Sequence, residues 1–324
     1  MLRRRHLLAA APALLAAPAV HAQGAGFPNR TIRLLVGFAP GGTTDVAARL
    51  LAPRLQAALG QTVVVENRAG AGSNIATEAV TRAAPDGYTF YVNHIASHGI
   101  GPTLYRRLSF DPLRDLPGVA RIAAMPNVLI IKGDSPIKSV AELVAFCKAN
   151  PARANFSSAG SGTSSHLSGL LFGMRMGIEV THVPYRGTAP SMAAVMNGET
   201  LFAIDNAPAS RQQVLGGLLK ALGVSTAKRS STMPEVPSLQ EQGVPNFDVA
   251  SWYGIVAPAA VPAAIRERLG AEIVAALNDP AIAQRVRDYG AEPWPLGPAE
   301  YDAFMRREVE IWAPVVRASG AQID

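Results

Sequence analysis

Strand-forming runs alternate with helix-periodic runs along most of this chain, which restricts it to an α/β fold with a largely parallel sheet covered by helices. Residues 31–38 (TIRLLVGF) are a short β-rich run, Thr43 to Leu59 repeats apolar residues at helical spacing, and Thr62 to Glu66 (TVVVE) is a second strand. A helix over about 74–84, a turn at Pro85-Asp86-Gly87 and a strand at Tyr88 to Val92 continue the series. Pro53 cannot donate to the carbonyl of Arg49, so it is expected to kink the first long helix or to end its first part. A second series opens at Val128 to Lys132 (VLIIK). It runs through a helix capped by Ser139, with Glu142 at capping-box spacing, then a strand near 154–157, a helix after Gly162, a strand near 179–184, a helix near 189–197 and a strand at 200–204. Strands at 220–225 and 251–257 flank a connection rich in proline (Pro234, Pro237, Pro245). Two helices end the chain, one with Pro262 as its first residue and reaching Asn278, the other from Pro298 to Arg317 with a kink expected at Pro314.

A chain of 324 residues with 48% hydrophobic content exceeds one small core and suits two domains. The first 22 residues read as an export signal: Arg3-Arg4-Arg5, an apolar run from Leu7 to Val20, and small residues at Val20-His21-Ala22 that place cleavage after Ala22. Arg4-Arg5 before His6-Leu7-Leu8 fits a twin-arginine signal as well as an ordinary secretory one. The apolar run is short of the roughly 20 residues that span a bilayer, so no membrane insertion of the mature chain is expected. The formal charge of +6 includes three arginines of the signal and none of its acids, leaving +3 for the mature chain. No basic run interleaves with aromatics, which excludes a nucleic-acid partner. The single cysteine, Cys147, excludes a disulfide framework and a cysteine-based zinc knuckle. Val140, Leu143, Val144 and Cys147 share one helical stripe, which assigns Cys147 to the core.

Two strands run into glycine-rich turns that open helices, in different halves of the chain. The first turn is Phe38-Ala39-Pro40-Gly41-Gly42-Thr43-Thr44-Asp45. The second, Ser157-Ser158-Ala159-Gly160-Ser161-Gly162-Thr163-Ser164-Ser165-His166, is rich in hydroxyls. Each presents free amides, hydroxyls and the positive end of a helix, a neutral set that can hold a carboxylate. Asp45 either accepts from a ligand or serves its helix's first turn, and His166 either fixes its loop or touches the ligand. Asn93, His94 and Ser97, and the pair Asp205-Asn206, follow strands at the ends where open α/β sheets bind ligands. Arg186 is either an ion-pair partner across a cleft or solvated, and Trp252, Tyr253 and Trp312 read as core. Walker A fails for want of Lys-Ser or Lys-Thr after its last glycine. Gly70-Ala71-Gly72-Ser73-Asn74-Ile75 has isoleucine where a dinucleotide fingerprint needs glycine. No HExxH joins His94, His98, His166 and His182, and no G-x-S-x-G elbow supports a serine hydrolase, so neither metal, cofactor nor catalysis is expected.

The segments FPNRTIRLLVGFAPGGTTD, LGQTVVVENRAGAGSNIA, PDGYTF, SFDP, SAGSGTSSHL, HVPYRGTAP, MPEVPSL and WYGIVAP are similar, in order and over nearly the whole mature chain, to the periplasmic receptors of tripartite tricarboxylate transporters (Bug-type, TctC-like). The resemblance implies a two-lobed, Venus-flytrap α/β fold of the periplasmic-binding-protein kind (type II-like), with lobe 1 at 23–125 plus 226–324 and lobe 2 at 126–225. It implies a monomer in the periplasm whose lobes close on a small carboxylate and present it to membrane subunits of a transporter. A ligand-sensing subunit reporting to a membrane kinase is the alternative, and an enzyme the third reading. In this family the turns carrying Phe38, Ala39, Gly41, Gly42, Thr43 and Asp45, and Ser158, Gly160, Gly162, Thr163, Ser164 and His166, clamp the carboxylate. Asn93, His94, Ser97, Asp205 and Asn206 would select the rest of the ligand. His94 and His98 depart from the small or apolar residues expected there.

Overall fold

The computed structural model describes residues 26–38, 40–41, 43–70, 73–185 and 187–323. The export segment 1–22 and residues Ala39, Gly42 and Arg186 lie outside the described residues. The strands are β1 (Ile32–Val36), β2 (Val63–Asn67), β3 (Thr89–His94), β4 (Gly118–Lys132), β5 (Asn155–Ser158), β6 (Thr181–Pro184), β7 (Phe202–Asn206), β8 (Leu219–Val224), β9 (Ala250–Val256) and β10 (Glu292–Leu296). The helices are α1 (Thr43–Leu59), α2 (Asn74–Thr81), α3 (Gly101–Leu104), α4 (Pro112–Asp115), α5 (Val140–Ala149), α6 (Ser164–Met176), α7 (Thr188–Asn197), α8 (Ala207–Leu215), α9 (Ala263–Asn278), α10 (Pro280–Asp288) and α11 (Pro298–Ser319).

The parallel βαβ reading holds: β1 lies between β2 and β3, parallel to both, and β5 lies between β6 and β7 in the same sense. The two series meet on β4. Its first half pairs antiparallel with β9 and β10, and from Asn127 onward it pairs with β7 and β8. One strand thus belongs to two half-sheets, β2-β1-β3-β9-β4-β10 and β8-β4-β7-β5-β6, and these are the frames of two lobes. Residues 118–131 are buried throughout, as befits a strand covered on both faces. The strand expected at Val128 to Lys132 is only the second part of β4, and Pro126 lies inside it. Pro126 sits where β4 passes from one half-sheet to the other, and there it is tolerated.

The return crossing is at Val249, whose amide donates to the carbonyl of Ser225 at 3.0 Å before β9 begins. The proline-rich segment 226–249 packs on the second half-sheet. Met233 and Val236 share a core with Val128, Ile130, Ala203 and Val224, and Phe247 meets Phe172 edge to face.

Local chemistry explains several helix ends. Ser139 Oγ accepts the amide of Glu142 at 3.1 Å while Glu142 reaches back to the amide of Lys138 at 2.8 Å, close to the expected box. Cys147 is buried on the stripe assigned to it, and burial pushes its thiol up to about 11. Pro53 does not end α1, nor Pro314 α11. Each forfeits one backbone bond, while Ala48, Leu51 and Leu55, or Trp312, Val315 and Val316, bury apolar surface that outweighs it. Pro262 stands one residue before its helix rather than inside it. His94 ends β3 instead of lying in a loop, and residues 96–100 form a π-helical turn. α8, α10 and β10 were not anticipated.

Candidate functional site

Where β4 and β9 cross between the lobes, a cavity of about 450 Å³ opens on one face of these strands. The turn before α1 supplies Phe38 and Pro40, and the first turn of α1 supplies Thr44. The end of β3 supplies His94 and Ile95, β4 supplies Met125, and the end of β7 supplies Asn206. Ser251, Trp252 and Tyr253 of β9 complete the wall, which among the described residues contains neither lysine nor arginine. Two residues of the wall, Thr44 and Tyr253, carry hydroxyls that are buried without a hydrogen-bond partner among the described residues.

The first turn is held by Asp45 from beneath. The buried Asp45 carboxylate accepts the amide of Gly41 at 2.9 Å, Nε of Arg49 at 3.0 Å and Nδ2 of Asn67 at 2.9 Å. Burial alone would raise its pKa, but these bonds outweigh it and hold the carboxyl below its usual range. Asp45 is therefore an anchor with its lone pairs engaged. Gly41, with φ +84°, adopts the left-handed conformation that lets its amide turn back to Asp45. The side chain of Thr43 lies outside the described residues.

His94 packs its ring 4.7 Å from Phe38 and shares Nε2 with Ser73 Oγ at 2.9 Å. Burial lowers both His94 and His98 to about 3, so each is neutral. Ser97 bridges the carbonyl of His94 and Nδ1 of His98, both at 2.9 Å, and lies outside the cavity wall. Asn93 points to the other side of the sheet, where its Oδ1 accepts from Tyr301 OH at 2.8 Å. Asp205 is buried beside the site. Its Oδ1 accepts the amide of Asn206 at 2.8 Å, Oδ2 has no partner among the described residues, and burial lifts it to about 6.

Of the second turn, Ser164 reaches the cleft region: its Oγ lies 3.0 Å from Ser251 Oγ, which donates to Asn206 Oδ1 at 3.3 Å. The remaining groups bond one another. Thr163 caps α6 by accepting the amide of His166 at 3.3 Å and donates to the carbonyl of Gly160 at 2.6 Å. The amide of Gly162 donates to Nδ1 of His166 at 3.1 Å, and Ser158 Oγ meets Nε2 of His182 at 2.6 Å. His166 stacks 3.8 Å from His182, and burial followed by that neighbour lowers it to about 4. Gly162 and His166 line a separate cavity of about 220 Å³ with Leu104 and residues 319–323. The structure thus brings Phe38, His94 and Asn206 together directly and Ser164 through Ser251. Ser251 and Tyr253 complete the site; Ser251 was not singled out in the sequence, and Tyr253 was assigned to the core. Alternation along β9 is the only sequence signal for them, and it does not tell which face meets a cleft.

Two lobes joined by strands that cross at the floor of a shared cleft define a solute-binding receptor of the periplasmic-binding-protein fold. The model of the tripartite tricarboxylate transporter family receptor, TctC, matches residues 47–321, and the chain belongs to that family. This is a family of receptors, not of enzymes. The chain is 35% identical to Protein BugT of Bordetella pertussis over 298 residues, covering 92% of this chain and 91% of that protein. An R. palustris protein solved with adipate is 35% identical, with a TM-score of 0.76 over 92% of this chain and all of the other. MatC from Rhodopseudomonas palustris, solved with bound malate, is 32% identical, with a TM-score of 0.71 over 90% of this chain and all of the other. No helix among the described residues is long and apolar enough to cross a membrane.

Proposed function

We propose that this chain captures a small carboxylate in the cleft between β4, β9 and the first turn, closes its lobes over it, and delivers it to the membrane subunits of a tripartite transporter. The observation that carries this reading is that two residues of the inter-lobe cavity's wall, Thr44 and Tyr253, carry buried hydroxyls without partners among the described residues. Buried donors are ordinarily satisfied, and a carboxylate supplies acceptors for both without needing an ion pair. Phe38, Ile95 and Met125 give the wall an apolar share suited to an aliphatic backbone. The adipate and malate bound by similar receptors make a dicarboxylate the first class to test.

On this reading the mature protein begins after Ala22 and works in the periplasm as a monomer. The lobes divide at Pro126 and at Val249, because the segment 226–249 shares its core with the second lobe. The test is thermal unfolding of the mature chain with mono-, di- and tricarboxylates, amino acids and aromatic acids. A ligand at 100 times its dissociation constant adds about 2.7 kcal/mol. A rise in Tm with dicarboxylates, reduced in Tyr253→Phe, supports the proposal. No shift with any of them, from protein shown to be folded and ligand-free, overturns it.

A further inference from the structure

A second and larger cavity, about 670 Å³, lies on the reverse face of the same crossing strands. Met125, Ser251 and Tyr253 face the front cleft, whereas Arg121, Ala124 and Ala250 line the rear, and Trp252 borders both. One lobe contributes α11 and β10 to this rear wall, and the segment 226–249 contributes Gln240, Asn246 and Asp248 from the other.

The unusual group there is Arg121, which is only 2% exposed. Its guanidinium lies between two rings, 4.3 Å from the centroid of Trp294 and 4.4 Å from that of Phe304, and its Nε donates to the carbonyl of Trp294 at 2.7 Å. Among the described residues, neither Nη group has a hydrogen-bond partner and no carboxylate lies within ion-pair distance. The buried carboxylate of the same cavity, Glu308, is otherwise engaged: it accepts Nε1–H of Trp252 at 2.7 Å and of Trp312 at 3.1 Å. Burial lowers Arg121 to about 10, which leaves it charged at neutral pH. Glu308 and Asp248 act on it only through space, and guanidinium is the side chain best shaped to take a carboxylate through two parallel bonds. Arg307 adds a second cation at the exposed mouth, over the ring of Phe304 at 5.6 Å, while Asp248 and Glu300 are exposed on the rim.

We propose that the rear cavity is a second binding site, for an organic carboxylate with a flat apolar body, its carboxylate on Arg121 and its body against Trp252, Trp294 and Phe304. The site is separate from the front cleft and goes beyond the proposed function. Because it spans both lobes and shares Trp252 with the front, its occupant acts on the same hinge that ligand capture uses.

Benzoate is the probe, followed by calorimetry and by indole fluorescence in the mature chain. Two of the three tryptophans line the cavity, so binding quenches emission. Arg121→Lys keeps the charge but loses the planar fork, and is expected to weaken benzoate binding roughly tenfold or more. Ala303→Trp, on the exposed rim of the cavity, blocks binding without disturbing the core. Asn206→Phe, which fills the front cleft, leaves benzoate binding unchanged. The proposal is overturned by absence of benzoate binding at millimolar concentration, by unchanged binding in both rear variants with melting curves like the parent, or by loss in Asn206→Phe alone. Failure of dicarboxylates to bind the front would sink the proposed function and leave this test standing.

Discussion

Removing a single oxygen from the cleft separates the cost of its empty state from the gain on binding. Tyr253 is 4% exposed, its hydroxyl has no partner among the described residues, and burial raises its pKa far above the ordinary phenol value. A buried donor left unmade costs roughly 1–3 kcal/mol. Tyr253→Phe keeps the ring and its packing, so the ligand-free protein should gain about 1–2 kcal/mol, seen as a Tm higher by roughly 2–6 °C. In the complex, the same hydroxyl donating to a carboxylate is worth about 1.5–3 kcal/mol, so the variant should bind roughly 10- to 150-fold more weakly. Scanning calorimetry without ligand and titration calorimetry with adipate read the two effects separately. Thr44→Val, a near-isosteric loss of the other orphan hydroxyl, should repeat the pattern. A lower Tm in Tyr253→Phe would show that the hydroxyl is satisfied in the free protein, and unchanged affinity would show that it faces no ligand; either result refutes the reasoning.

Asp45→Asn should cost about 2 kcal/mol in urea unfolding at pH 7, since the Asp45 carboxylate anchors the first turn through Gly41, Arg49 and Asn67. Because the folded pKa of Asp45 is depressed, that stabilisation is complete above the unfolded value near 4, and the difference between the proteins vanishes as pH falls through the folded value. Glu308 behaves oppositely: raised to about 7 by burial, it keeps a proton in the native state that the unfolded chain has released. Stability should therefore fall by up to about 3 kcal/mol between pH 4.5 and 7, and Glu308→Gln should flatten that part of the profile. His94 and His98, lowered to about 3, must each take up a proton on unfolding in acid. They should steepen the loss of stability below pH 6.5 by about 1.4 kcal/mol per pH unit each, and their ring NMR signals should not titrate between pH 8 and 5. Gly162→Ala, at φ +79° and with its new Cβ 3.1 Å from Leu104 Cδ2, should lower stability by about 1–2 kcal/mol and shift Tm accordingly.

What the chain discloses before folding is local, and the site is assembled from what is not. The parallel βαβ series was legible because apolar period and turn residues are read within a dozen positions, and the Ser139–Glu142 box because its partners are three residues apart. β4 was half missed because a strand that serves two sheets carries its proline at the transfer, a position defined only by distant β7, β8 and β9. Phe38, His94 and Asn206 were legible as binding candidates because each lies at or just beyond a strand's carboxyl end, where open sheets receive ligands. The turn at 158–166 shows the limit of that logic. Its hydroxyls and glycines match what an anion needs, yet here Ser158, Thr163 and His166 take up the loop's own amides and carbonyls, and only Ser164 extends toward the cleft. Composition cannot separate a loop that offers its donors from one that consumes them. Nor can it assign faces to β9, where Ser251 and Tyr253 turn to one cavity and Ala250 to the other, with Trp252 touching both. That assignment follows from which lobe packs on which side of the crossing strands, and it makes one apolar segment, ASWYGIV, both the floor of the front cleft and the partition behind it.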